Sequence, residues 1–139
     1  MQVLRITFFI IFAILFSCEE QGLIIDCSEC LSYQPELVKL TVKLKDINLP
    51  VRVNVYEGVL EDSVLYDFVE TQGMAYNFMV RLNKKYTITA TYNIGEITYT
   101  AVDSATPKVK YVKEQCEDPC YFMYDTIVDL RLKYTAKGE

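Results

Sequence analysis

The chain has 139 residues, carries 14 lysines and arginines against 19 aspartates and glutamates, and contains neither histidine nor tryptophan. Its acidic balance, without a basic stripe, argues against nucleic acid as a partner. The lack of histidine removes the commonest general base, the commonest metal ligand and every Ser-His or Cys-His nucleophile pair. We therefore expect a protein that is not an enzyme and uses no cofactor.

The first 17 residues have the pattern of an export signal. Arg5 gives the start a positive charge, and residues 6–16 are apolar apart from Thr7. Spanning a bilayer takes about 20 apolar residues, and this run stops well short of that. We predict that residues 1–17 are a signal peptide.

The residues that follow the apolar run carry a second signature. Leu15, Phe16, Ser17 and Cys18 resemble the lipobox of bacterial lipoproteins, with an aliphatic residue three positions before the cysteine and a small residue next to it. The resemblance implies that a diacylglycerol is attached to the Cys18 thiol, that the chain is cut before Cys18, and that the new amino terminus is acylated, commonly with palmitate. Two or three acyl chains anchor a protein stably in a membrane. The alternative is an ordinary secretory signal followed by a chance cysteine.

An acidic pair, Glu19 and Glu20, comes directly after Cys18. It resembles the export tag that some Gram-negative bacteria place there to send lipoproteins to the outer face of the outer membrane. A solvated linker would also account for two acidic residues. We expect the protein in the cell envelope, with the outer membrane as its destination.

Beyond the signal, we predict a tether and one domain. Removing residues 1–17 leaves 139 − 17 = 122 residues, which is the size of a single domain. Residues 18–36 are polar and irregular, and we interpret them as the lipidated amino terminus and a tether; residues 37–135 form the domain. Within the domain apolar and polar side chains alternate with a period of two, as in half-buried strands. The predicted strands are residues 37–45, 51–56, 64–70, 76–80, 86–92, 96–102, 108–113 and 121–134, with loops at 103–107 and 115–120.

Seven or eight short strands, with turns every 8 to 12 residues, predict an all-β fold. The expected architecture is a two-sheet antiparallel sandwich of immunoglobulin-like or prealbumin-like type with Greek-key connections. Residues 53–58 and 83–90 look like parts of the transthyretin-like or carboxypeptidase-regulatory-like modules, in which a strand of the form Tyr-Thr-x-x-Ala follows a tight turn. This resemblance implies the architecture and carries over no site residues.

Four cysteines remain once Cys18 is assigned to the lipid: Cys27, Cys30, Cys116 and Cys120. An oxidising compartment favours disulfides. Cys30 precedes the first strand and Cys120 the last, so if those strands lie side by side and parallel, cross-pairing would join the tether to the last loop. Two local bridges are the alternative. Structural zinc on four thiolates and a thioredoxin-like role for Cys27 and Cys30 are less favoured, because exported thiols oxidise and the motif lies in a tether.

Acidic residues near the carboxyl end offer two further site hypotheses. Asp125 and Asp129 share a face of the last predicted strand, but four residues along a strand span about 13 Å, which is too far for a pair of glycosidase carboxylates. Glu117 and Asp118, with Asp125, could offer oxygens to calcium, yet no spaced ligand loop is present. We interpret all of them as solvated side chains and predict no metal site.

Tyr56, Tyr111 and Tyr121 fall on outer strand faces or loop edges, where they could form an aromatic platform for a sugar or a partner protein. Tyrosine is also a routine strand residue. Taken together, the sequence predicts a lipid-anchored envelope module that binds or assembles with another envelope protein or a glycan. The alternative function is an accessory glycan- or nutrient-binding lipoprotein of an outer-membrane uptake system.

Overall fold

The computed structural model describes residues 24–62 and 64–133. Within those residues the chain is all-β, with nine strands and two short 3₁₀ turns, Cys27–Glu29 and Leu60–Asp62. The strands, in chain order, are β1 (Leu37–Lys43), β2 (Val51–Glu57), β3 (Leu65–Thr71), β4 (Ala75–Arg81), β5 (Tyr86–Ile94), β6 (Ile97–Ala105), β7 (Lys108–Tyr111), β8 (Tyr121–Tyr124) and β9 (Ile127–Asp129).

These strands form three sheets in the described part of the chain. One sheet has the order β4-β1-β9, a second has the order β3-β2-β5-β6, and β7 pairs with β8 in a small third sheet. All pairings are antiparallel except that of β1 with β9, which is parallel. The first and last strands therefore lie side by side and parallel, which is the condition attached to the prediction of cross-paired cysteines.

The core follows from the predicted alternation. Alternate residues of β1 and β2 turn inward, and Leu40, Val42, Val53 and Val55 are completely buried. Side chains from the three-stranded and four-stranded sheets meet in one cluster, because each sheet has to remove its apolar face from water. No helix within the described ranges is long and apolar enough to cross a membrane.

Most predicted strand ends agree with the structure to within two residues, and two predictions of strand extent differ from it by more. The predicted loop at 103–107 begins too early, since β6 continues to Ala105, which lies opposite Tyr86 of β5. The predicted last strand over 121–134 is interrupted at Asp125, whose backbone φ is +56°. This residue separates β8, which pairs with β7, from β9, which pairs with β1.

Three tyrosine hydroxyls, two from the buried residues Tyr86 and Tyr92 and one from the exposed Tyr66, connect the two larger sheets. The Tyr86 hydroxyl accepts a hydrogen bond from Arg81 N at 3.0 Å, and the Tyr66 hydroxyl donates to Met79 O at 3.0 Å. The Tyr92 hydroxyl accepts from Lys45 N and donates to Leu130 O. Backbone groups at the margins of the three-stranded sheet thus obtain partners that no neighbouring strand supplies.

Candidate functional site

The candidate site is the end of the molecule where the four cysteines meet, which we call the disulfide end. β1 pairs with β9 in parallel, with Thr41 opposite Ile127. The segments that precede these two strands therefore lie at the same end of the molecule. Cys27 and Cys30 come before β1, and Cys116 and Cys120 come before β8. The topology therefore assembles both pairs without any local sequence signal that joins them.

The four cysteines form two cross-linked pairs, Cys27–Cys116 and Cys30–Cys120, with Cα–Cα distances of 5.5 and 4.9 Å. The cross-pairing prediction is confirmed over the local one. Three of the sulfur atoms, those of Cys30, Cys116 and Cys120, lie within 4.8 Å of one another. Both bridges thus sit side by side, and all four thiols are consumed in sulfur–sulfur bonds that leave no thiolate for zinc.

The segment before β1 is fastened to the domain by backbone contacts as well. Leu31 forms an isolated antiparallel bridge with Tyr121, with hydrogen bonds of 3.0 and 2.9 Å between their backbone groups. The Asp26 carboxylate accepts a hydrogen bond from Ser28 N and so caps the 3₁₀ turn over Cys27–Glu29. The predicted irregular tether is therefore ordered against the domain from this turn onward. The sequence did not predict the pairing of Leu31 with Tyr121, because a single apolar residue after a cysteine shows no alternating pattern that would indicate a strand.

Two of the three predicted platform tyrosines meet at the disulfide end. Tyr111 and Tyr121 are opposite each other on β7 and β8, with ring centroids 5.0 Å apart and a tilt of 45°. The Tyr111 hydroxyl donates to Asp118, and this bond raises the pKa of Tyr111. Lys113 lies 6.0 Å from the centre of the Tyr111 ring. Tyr56 is placed elsewhere, on β2 of the four-stranded sheet.

A shallow groove of about 320 Å³ adjoins Tyr111, with Ile25, Lys110 and Lys113 among its lining residues. Ile25 belongs to the predicted tether, so the tether and β7 form the groove together. The sequence did not predict it, because the two segments are more than 80 residues apart.

The acidic residues have structural partners of their own. The Asp125 carboxylate accepts a hydrogen bond from Thr106 N at 2.6 Å, and this bond holds the break between β8 and β9. Asp129 forms a bidentate pair with Arg131, whose guanidinium holds the pKa of Asp129 well below its usual range. Asp118 is engaged by Tyr111. The calcium hypothesis gains no support, because Asp118 and Asp125 serve two different contacts.

The two bridges differ in exposure, which predicts an order of reduction. Cys27 is exposed, whereas Cys120 is completely buried. Since a reductant must reach a sulfur atom to attack it, we expect a mild dithiol to open Cys27–Cys116 first. Alkylation followed by intact-mass and peptide analysis should find label on Cys27 and Cys116 before Cys30 and Cys120. Label that appears first on Cys30 and Cys120, or a mass unchanged by full reduction, would contradict this arrangement.

Comparisons of the chain with protein-family models, with curated proteins and with solved structures found no match. The likeness to transthyretin-like modules stays a prediction. Cys18 and the predicted signal peptide lie outside the described residues.

Proposed function

We propose that the chain is an exported, lipid-anchored β-sandwich module of Greek-key type, which acts by binding or assembling with other envelope components and not by catalysis. The observation that carries the proposal is the pair of cross-linked disulfides, Cys27–Cys116 and Cys30–Cys120. Stable disulfides belong to oxidising compartments outside the bacterial cytoplasm, and each of these two has one cysteine, Cys27 or Cys30, on the segment that follows the lipobox.

The same bridges give the anchor a short reach. Cys27 lies nine positions after Cys18, and an extended chain spans at most about 3.6 Å per residue, so the lipid would lie within roughly 30 Å of the disulfide end. On this proposal the disulfide end faces the membrane. The turns between β1 and β2, β3 and β4, and β5 and β6 would then point away from it and meet the partner.

The acidic pair Glu19 and Glu20 supports the outer membrane as the destination. The net charge of −5 supports a lipid tether over direct adsorption, since anionic lipid repels an acidic surface. The partner would be an envelope protein or a glycan.

Replacing Cys18 tests the anchor. In a Gram-negative host fed an alkyne analogue of palmitate, we expect the native chain to take up label and sediment with membranes, and Cys18→Ser to lose both properties. The matched control is the double variant Cys27→Ser and Cys116→Ser, which also loses cysteines but should keep the label. Labelled Cys18→Ser, or an unlabelled native chain in the soluble fraction, would refute lipidation at this residue.

A further inference from the structure

Strand β6 (Ile97–Ala105) forms one edge of the four-stranded sheet and has β5 as its strand partner. The two-residue turn Gly95 and Glu96 joins the two strands, and Gly95 has φ +61°, as expected at the first central position of a type II′ hairpin. Such a turn closes with a hydrogen bond between its flanking residues, so the backbone of Ile97 faces β5. Because backbone groups alternate in direction along an antiparallel strand, those of Thr98, Thr100 and Val102 face outward.

The outward-facing residues of β6 are also uncharged and exposed. Thr98, Thr100 and Val102 place their side chains on the solvent face of the sheet, and Val102 is 51% exposed. From Ile97 to Val102 the strand contains no charged residue and no proline. Natural proteins protect edge strands with lysine, proline, bulges, short length or a covering segment. Residues 97–102 contain no lysine, proline or bulge, and the strand is not short.

The other edges in the described part of the chain each have a protective feature. β3 carries Asp67 and Glu70 and an irregular register against β2. β4 has two outward backbone groups occupied by the hydroxyls of Tyr66 and Tyr86. β9 has three residues, β7 carries two lysines, and β8 is covered by Leu31.

We propose that β6 is a dimerisation edge at which a second copy of this chain adds its own β6, antiparallel, across a twofold axis at Thr100. In this register Thr100 faces its own copy, and Thr98 of each chain faces Val102 of the other. The three outward residues of each strand then find backbone donors and acceptors on the other. The pairing places Asp103 opposite Ile97 and Glu96 opposite Ser104, so no two charged residues are directly opposed.

Charge explains why a second copy would choose this edge. The chain is acidic overall, with a net charge of −5, so two copies repel each other over most of their surface. Residues 97–102 of β6 carry no charge, so two acidic copies can approach along this edge with less repulsion than along β3, which carries Asp67 and Glu70. This inference goes beyond the proposed function and does not depend on the lipid anchor.

Cysteine cross-linking tests the twofold axis directly. Directly opposed residues of a hydrogen-bonded antiparallel pair have Cα atoms about 5.5 Å apart, within the range that a disulfide spans. We expect the exported Thr100→Cys chain to form a disulfide-linked dimer on non-reducing gels. The matched control is Glu70→Cys, an exposed position on β3 at the opposite edge of the same sheet, and we expect it to give at least about tenfold less dimer, since two such cysteines meet only by collision.

A second variant tests the noncovalent contact. Thr100→Lys would place two ammonium groups together on the axis, and we expect it to weaken dimerisation by about tenfold or more in sedimentation, while the circular dichroism spectrum stays that of the native fold. The proposal is overturned if the native chain is monomeric and Thr100→Cys gives no more dimer than Glu70→Cys. It is also overturned if dimers appear only when residues 134–139 are deleted, because the edge would then belong to the chain's own terminus.

Discussion

Replacing either disulfide by a pair of serines should cost about 2.5 kcal/mol of unfolding free energy, whereas replacing both should cost about 7 kcal/mol. The variants are Cys27→Ser with Cys116→Ser, Cys30→Ser with Cys120→Ser, and all four together. A loss of about 7 kcal/mol is comparable to the 5–15 kcal/mol that is typical of a domain, so we expect the quadruple variant to be partly unfolded at 37 °C.

The loss expected from removing both bridges exceeds the sum of the two separate losses because of the loops that the bridges close. The bridges join residues 89 and 90 positions apart, so whichever one remains still closes a loop of about 90 residues. In the chain-entropy model that large loop is worth about 4.6 kcal/mol. The second bridge closes only the small ring between Cys27, Cys30, Cys116 and Cys120, about eight residues, which is worth about 2.5 kcal/mol.

Urea unfolding of the three variants, monitored by circular dichroism, measures this non-additivity. The four-serine variant should lose about 2 kcal/mol more than the sum of the two double variants, because only in that variant is the large loop opened. A loss in the four-serine variant that equals the sum of the two double-variant losses would contradict the model and would indicate that local strain or packing, and not loop closure, sets the stabilisation.

The sequence predicted the parts of the fold that depend on local alternation. Val53 and Val55 alternate with polar residues on β2, and the structure buries both of them as expected. Cross-pairing between the two cysteine pairs was predicted from element order on the condition that the first and last strands lie in parallel; which cysteine pairs with which was not predicted.

The sequence did not predict features that depend on distant contacts. The alternation continues unbroken through Asp125, so nothing local marks the change from pairing with β7 to pairing with β1. That change is held by the bond from Thr106 N to the Asp125 carboxylate, 19 residues apart. Likewise, β6 ends at Ala105 because its partner β5 begins at Tyr86, whereas the local composition of residues 103–107 is typical of a loop.

Tyr92→Phe is the second substitution with a large expected effect. The Tyr92 side chain is completely buried, and its hydroxyl accepts from Lys45 N at 3.1 Å and donates to Leu130 O at 2.8 Å. Phenylalanine keeps the ring but leaves both backbone groups without this partner. An unsatisfied buried polar group costs about 1–3 kcal/mol, so we expect a loss of about 2 kcal/mol in urea unfolding. Tyr33→Phe, which is 64% exposed, is the matched control and should change stability by less than about 0.5 kcal/mol.

The same tyrosine should make the fold sensitive to alkali. Burial raises the pKa of Tyr92 above its usual value of 10.0, because the phenolate is costly away from water. A raised folded-state pKa gives stability that is complete below pH 10 and is lost as the pH rises through the folded-state value. The native chain should therefore lose stability from pH 10 upward, and Tyr92→Phe should lose it with a shallower slope. Burial also raises the pKa of Tyr86, so some slope should remain in the variant. Parallel slopes for the two chains between pH 9 and 11 would show that the Tyr92 hydroxyl does not contribute to this sensitivity.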